Sequence, residues 1–248
     1  MRSKIKISLS GIFSRKPKPT KVTADRYYEC FYPLILEGGG VGSAAAWTHR
    51  SLEKFPRNWP TYFESVLEIG AGNGEHFKYL KHDFQKYVET DVRIQLLLAG
   101  TKNRIYDERL IQEQLDANEL SSIKSDSIDR LVATCVLVHL ENPAHVLAEI
   151  RRSLRNGGVA SLYVPCEPGL VLRILRYWTT ARKGRKLGVD HLYFHYHEHR
   201  FHVLYIQEAI KGVFGSDEIK ITRYPFKNFS WNFNLWQVYQ IKVKKGEI

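Results

Sequence analysis

Apolar positions change rhythm near residue 60. Upstream the spacing is helical: in "TADRYYECFYPLI" the residues Tyr27, Phe31, Leu34 and Ile35 share one face, and Thr23 is placed to cap the first turn. A second helix is predicted from Ser43 to Phe55, stopped by Pro56. Downstream, short β-rich runs ("SVLEIG", "KYVETDV", "RIYDERL", "IDRLVATCV", "VASLYVP", "IKITRYPF" and "WQVYQIKVKK") alternate with amphipathic stretches at about 74–80, 94–101, 143–154 and 205–214. In the third stretch Val146, Leu147, Ile150 and Leu154 form one stripe, Pro143 suits the first turn, and "NGG" at Asn156 to Gly158 ends it. Strands alternating with helices predict an α/β protein with a parallel sheet.

Two glycine clusters compete as binding loops. In "VLEIGAGNGEHFKYL" a buried-type strand (Val66, Leu67, Ile69) delivers the chain to Gly70, Gly72 and Gly74, and a helical stretch follows. Backbone can then approach a ligand at the carboxyl end of a strand, where open α/β sheets bind. In "LEGGGVGSAAAW" the preceding residues look helical, so Gly38 to Gly42 is predicted to be a hinge between helices. The first loop has the spacing GxGxG and not the GxGxxG of a dinucleotide site, and Glu68 precedes it by two residues. A carboxylate there repels a pyrophosphate and suits the ammonium of an amino-acid-bearing cofactor. Ala71 and Asn73 complete the loop.

Further landmarks follow in order. Asp91 ends the run "VETDV" beside Val92, "LDANEL" carries Asp116 and Ala117, and "SIDRLVATCVLVHLENPAHVLAEIRRSLRNGGVASLYVP" supplies a strand ending at Thr134 and Cys135, a helix and another strand. Taken alone, Asp91 could be a helix cap and Asp116 a turn former. Together these motifs, best over Ser65 to Pro165, resemble the class I S-adenosylmethionine-dependent methyltransferases of the type 11/12-like kind. The resemblance implies a Rossmann-like, seven-stranded, mostly parallel sheet with helices on both faces and an antiparallel last strand. It implies S-adenosylmethionine as cofactor, held by Glu68, Gly70, Ala71, Gly72, Asn73, Asp91 (ribose), Val92, Asp116 (adenine), Ala117, Thr134 and Cys135. The expected organisation is a basic tail over 1–21, a helical cap over 22–64 and a methyltransferase domain over 65–248, with a lid inserted at about 166–200.

Methyl transfer needs alignment of acceptor and cofactor. For an alcohol it also needs a proton acceptor, and histidine is the natural one. His139, just after the fourth strand, is the expected catalytic residue, its alternative role being to pack or cap the next helix. "DHLYFHYHEHRFHVLYIQEAI" carries His195, His197 and His199, which strand-like alternation would set on one face. They match no zinc motif, so no metal is expected, and with Tyr27 and Tyr28 they are assigned to the acceptor pocket.

Composition narrows the partner. The net charge of +11 and pI near 9.5 favour an anionic one. The segment "PCEPGLVLRILRYWTTARKGRKLG" is apolar and basic together, which fits a phosphorylated or lipid-linked acceptor, such as a saccharide intermediate, met at a membrane surface. RNA methylation is the alternative, weakened by the lack of an appended RNA-binding module and of an "NPPY"-type tetrapeptide. A non-catalytic binding scaffold is the third reading. Cys30, Cys135 and Cys166 have no metal or disulfide spacing, and with no signal peptide or membrane span apparent, a cytoplasmic, membrane-peripheral protein is expected.

Overall fold

The computed structural model describes residues 22–23, 26–31, 34–35, 39–101 and 107–246. The predicted basic tail and the Tyr28 side chain lie outside the described residues. Strands β1 (Tyr62–Ile69), β2 (Asp83–Asp91), β3 (Leu110–Gln114), β4 (Ile128–Thr134), β5 (Leu154–Pro165), β6 (Glu218–Tyr224) and β7 (Trp236–Lys242) form one sheet in the order β3-β2-β1-β4-β5-β7-β6. All neighbouring pairs are parallel except those made by β7, which runs antiparallel to both β5 and β6. This is the architecture expected. Strand order reverses between β1 and β4, so the crevice at their carboxyl ends is the place where such a sheet takes a ligand.

Helices α1 (Gly39–Leu52), α2 (Ile94–Thr101), α3 (Pro143–Ser153), α4 (Leu170–Trp178), α5 (Thr180–Lys186), α6 (His191–Glu198) and α7 (Val203–Phe214) surround the sheet. Helix α3 starts where the Asn142 side chain accepts the His145 amide at 3.1 Å, with Pro143 in the first turn, and it buries Val146, Leu147 and Ile150. Helix α7 buries Val203, Ile206, Ile210 and Phe214, one stripe at helical spacing, against the same face of the sheet. On the other face Leu52, Trp59, Phe63, Val66, Tyr87, Val132 and Trp236 form a second apolar layer beneath α1.

Several boundaries differ from the sequence expectation. The second glycine cluster is no hinge where it is described, since Gly39 onward is already helix, and α1 stops at Leu52 rather than Phe55. The stretch after Gly74 is a single 3-10 turn, Glu75–Tyr79, because its His76 is drawn fully into the interior. Helix α3 ends at Ser153, and Asn156 to Gly158 belong to the irregular start of β5, where pairing with β4 shifts register between Ile128 and Arg130. Of the first predicted helix, the described part is a turn at Tyr27–Phe31 and the helical Leu34 and Ile35.

The early stop of α1 has a polar cause. Arg130, 0% exposed in the middle of β4, directs Nη2 to Glu53 Oε1 at 2.5 Å, and its guanidinium lies 4.7 Å from the Phe55 ring centroid. Ser161 donates to Gln240 Oε1 at 2.8 Å, and Gln240 Nε2 donates to the Leu52 carbonyl at 2.6 Å, so the sheet itself caps α1. Glu53 also meets His76 Nε2 at 3.1 Å and accepts the Lys81 amide at 3.0 Å. Burial raises the Glu53 carboxyl pKa, but the Arg130 guanidinium and then His76 outweigh it and hold it well below the usual carboxylate range.

Removing one partner leaves the other charge buried and alone. Glu53→Ala should cost about 3–5 kcal/mol in urea unfolding, and adding Arg130→Met should recover a large part of that loss. An unchanged midpoint in Glu53→Ala would contradict the assignment. The adjacent histidines set an acid limit. Burial, then the Arg130 charge, lowers His82 from 6.5 to about 4, and burial, then His76, lowers His49 to about 3. Below pH 6.5 the unfolded chain protonates these rings, while in the folded chain His82 stays neutral down to about pH 4 and His49 down to about pH 3, so stability decreases as the pH is lowered across that window. The expected slope is ~1.4 kcal/mol per pH unit for each such histidine, and His82→Gln should flatten it in denaturation curves taken between pH 7 and 5.

Candidate functional site

The glycine loop leaves β1 at the centre of the sheet with Gly70, Gly72 and Gly74 at φ of +62°, +58° and +65°. Those values favour glycine, and a Cβ on Gly70 would lie 2.4 Å from the Val136 side chain. At Gly72 no heavy atom stands within 4 Å of an added Cβ, so the backbone there is open for close approach. Helix α2 supports the loop from below, since Gly100 sits so near Asn73 that a Cβ would overlap the Asn73 carbonyl oxygen.

Asp91 fixes the loop. Its Oδ2 accepts the Gly72 amide at 2.9 Å and its Oδ1 accepts the Arg93 amide at 2.8 Å, which ties the end of β2 to the loop that follows β1. Each carboxylate oxygen keeps a further lone pair for a ligand. Asp116 is exposed beyond β3, where its Oδ1 takes the Asn118 amide at 2.8 Å and Nδ2 at 2.9 Å. Asn118 in turn accepts the Glu141 amide at 2.9 Å, so the turn-forming role of Asp116 also links the loops after β3 and β4. Val92 is exposed and Ala117 is buried beside Asp116. Thr134 closes β4 with Oγ1 buried and unpartnered, and Cys135 follows at φ +61°, a left-handed conformation uncommon for cysteine.

Glu68 lies inside the sheet, beneath the loop. It alternates with Leu67 and Ile69, so it points to the α1 layer; it is 1% exposed and its Oε2 accepts the Tyr87 hydroxyl at 2.8 Å. A carboxylate so placed supports the loop from within.

Beyond the ends of β4 and β5 lies a cluster that sequence spacing hides. Glu167, buried just after β5, meets His195 Nε2 at 2.9 Å, His199 Nδ1 at 2.9 Å and Arg176 Nη2 at 2.5 Å. Burial raises the Glu167 carboxyl, but Arg176 and then His195 outweigh it and hold it well below the usual range. The His139 ring lies edge-on to His199 with centroids 4.5 Å apart, and its Nδ1 faces the Glu198 carbonyl at 3.1 Å. A carbonyl only accepts, so Nδ1 carries the proton and Nε2 keeps the lone pair. Crowding by protein atoms, then His199, lowers the His139 pKa, which keeps the ring neutral at physiological pH. Burial, then Glu167, pushes the Cys135 thiol up to about 12.

The histidine segment is helical, not extended. On α6, capped by Asp190, His191 and His195 are four residues apart on one face, and His199 continues it. His197 turns away to solvent beside Glu198, which removes it from the group. Tyr27 is buried, stacks on Phe194 at 4.1 Å and reaches His191 Nδ1 at 2.5 Å, so it braces α6 from behind. Glu167 and Arg176 were missed as a pair because they lie on separate elements. The only sequence signal was "CEP" directly after a strand.

A sequence model of a family described as a methyltransferase domain matches residues 67–162, from β1 into β5. A structure of an S-adenosylmethionine-dependent methyltransferase from Mesorhizobium loti is similar, with a TM-score of 0.54 at 16% identity over 83% of this chain and all of that one. Residues 67–162 thus carry the sequence pattern of a methyltransferase domain, on a sheet that shares the fold of this S-adenosylmethionine-dependent enzyme. The trans-methyltransferase CalH, solved in complex with SAH, has a TM-score of 0.57 at 16% identity, over 85% of this chain and 61% of that one. At such identities the structures establish the shared fold. A curated relative, the hybrid PKS-NRPS synthetase pydA of Acremonium sp., is 26% identical over 183 residues, 67% of this chain but 4% of that protein's length.

The residues present fit S-adenosylmethionine, the cofactor that the sequence motifs imply. The open backbone at Gly72, the spare lone pairs of Asp91 and Asp116, and the unpartnered Thr134 Oγ1 all border one crevice at the switch point of the sheet. When bound, the cofactor supplies an electrophilic methyl group on a cationic sulfur. The chain contributes loop backbone held open by Asp91, acidic acceptors for hydroxyl and amino groups, and the histidine cluster beyond β4. Because Asp91 also anchors Gly72, Asp91→Ala should weaken cofactor binding by about 1.5–3 kcal/mol, read by calorimetry; unchanged affinity in the folded variant would refute a ribose contact.

Proposed function

We propose that this methyltransferase acts on an oxygen or nitrogen of a small anionic acceptor, a saccharide, phosphorylated or lipid-linked intermediate. The acceptor lies between the carboxyl ends of β4 and β5 and the helices α4 to α6. The observation that carries this reading is the cluster of His139, His195, His199, Glu167 and Arg176 beyond those strand ends. It faces the crevice of the glycine loop from the far side of Cys135, and it offers neutral imidazole nitrogen for acceptor contact.

The basic lid supports the anionic and lipid-linked part. Arg176 of α4 turns inward to Glu167 with its side chain 14% exposed, while Leu175 and Trp178 of the same helix are 43% and 50% exposed. An apolar face turned to solvent beside Arg182, Arg185 and Lys186 of α5 suits contact with an anionic lipid surface. No helix of the described residues is long and apolar enough to cross a membrane.

In this reading His139 Nε2 is the basic atom that meets the acceptor, and binding at the strand ends aligns the acceptor with the methyl group. His139→Ala should leave cofactor affinity unchanged and lower kcat about a hundredfold; equal turnover removes His139 from that role. The acceptor class is tested by transfer from radiolabelled cofactor to sugar phosphates, lipid-linked saccharides and RNA. Labelling of the first two supports the proposal, and labelling of RNA alone overturns it.

A further inference from the structure

We propose that Cys135, His139 and His199 form a binding site for one zinc ion, with a coordination position left open toward the acceptor. The three residues each offer a ligand atom, and these atoms all lie within 4.8 Å of one another. Zinc bonds of about 2.3 Å to sulfur and about 2.0–2.1 Å to nitrogen set tetrahedral ligand separations of about 3.4 Å, so small side-chain rotations close the site.

The surroundings are those of a metal site. His139 Nδ1 donates to the Glu198 carbonyl at 3.1 Å, and His199 Nδ1 lies 2.9 Å from both Glu167 oxygens. Each ring therefore has its second nitrogen fixed by an oxygen acceptor and Nε2 left as the ligand, the arrangement that orients metal-bound histidines. The left-handed backbone at Cys135 holds its thiol at the end of β4, in a conformation that costs energy and persists where the surroundings demand it. Three protein ligands drawn from sulfur and imidazole suit zinc with one vacancy, and the exposure of His139 gives a path for entry.

A second grouping, Glu167 with His195 and His199, is equally compact. It is the weaker site, because Arg176 Nη2 already sits 2.5 Å from Glu167 Oε1 and its charge opposes a dication there. Glu167 is better placed as the outer carboxylate on His199. On metal binding the Cys135 thiol releases its proton to water, so the site gains one net positive charge. With the lone pair of His139 Nε2 given to the metal, the dication takes the place of the free imidazole at the acceptor, where it lowers the pKa of a coordinated hydroxyl. That use rests on the acceptor site proposed above, whereas the binding of metal does not.

The test is cobalt titration of the full chain after chelator treatment. The expected result is one Co²⁺ per chain with a thiolate charge-transfer band in the near ultraviolet, displaced by one equivalent of Zn²⁺. Cys135→Ser and Cys135→Ala should abolish the band and weaken binding about a hundredfold, while Glu167→Gln should weaken it about tenfold. His195→Asn and Cys30→Ser should retain it, with circular dichroism and cofactor calorimetry certifying folded protein. Failure of the folded wild type to bind either ion, persistence of the band in Cys135→Ser, or loss of binding in His195→Asn overturns the site. Metal binding without methyl transfer would leave the zinc site standing and remove the proposed acceptor chemistry. Transfer by the wild type that neither chelation nor Cys135→Ser alters would overturn the use of the metal in the acceptor chemistry.

Discussion

The buried ion pair between Arg130 and Glu53 is the constraint on which the rest of the molecule depends. A guanidinium with no exposure in the middle of a central strand is tolerable only if it is paired, and its partner comes from the first residue after α1. That requirement locates the end of α1, whose last carbonyl is taken by Gln240 from β7. It also locates the turn after the glycine loop, because His76 reaches the same carboxylate and His49 of α1 stacks on Tyr79 at 5.3 Å. One charge pair thus ties the amino-terminal helix, the sheet and the segment that leaves the binding loop. The pair contributes less through net energy than through the arrangements it forbids, since any other placement of α1 strands a charge in the apolar layer.

From this anchor the cofactor crevice follows with little further side-chain chemistry. The loop is shaped by backbone at positive φ, supported by Val136 and Gly100, and closed by one carboxylate that takes amides from two segments. Glu68 lies beneath it, next to Glu89 in the adjacent register of β2, and its bond from Tyr87 makes it an internal brace. Backbone-made sites of this kind are rigid because their shape is set by strand ends, not by rotamers.

This difference explains what the sequence made legible. Strand runs, the GxGxG spacing, Asp91 and Asp116 each have a local signature, because a glycine in a tight turn or an acid at a strand end is specified by its neighbours in the chain. The stripe of α3 was readable for the same reason, whereas the antiparallel direction of β7 came only with the family resemblance. Glu53, Arg130, Glu167 and Arg176 were not, since each acquires its role from a partner on another element. For Glu68 the spacing from Gly70 was local, whereas the brace it makes with Tyr87 depends on the neighbouring strand. His197 was misread by period, because a helix groups residues four apart where a strand groups those two apart.

The acceptor side obeys a different logic from the cofactor side. Helix α4 turns Arg176 to the interior while Leu175 and Trp178 are exposed, which burial of apolar surface alone would oppose. What holds it is Glu167, which needs a cation because burial alone would neutralise it. Glu167 in turn fixes His195 and His199, and through the latter it borders His139 and Cys135. The same carboxylate that draws Arg176 inward therefore positions the imidazoles of His195 and His199. Arrangement of the lid and chemistry of the site are coupled by a single residue: a change at Glu167 would release an arginine, reorient an apolar helix and free the histidines together.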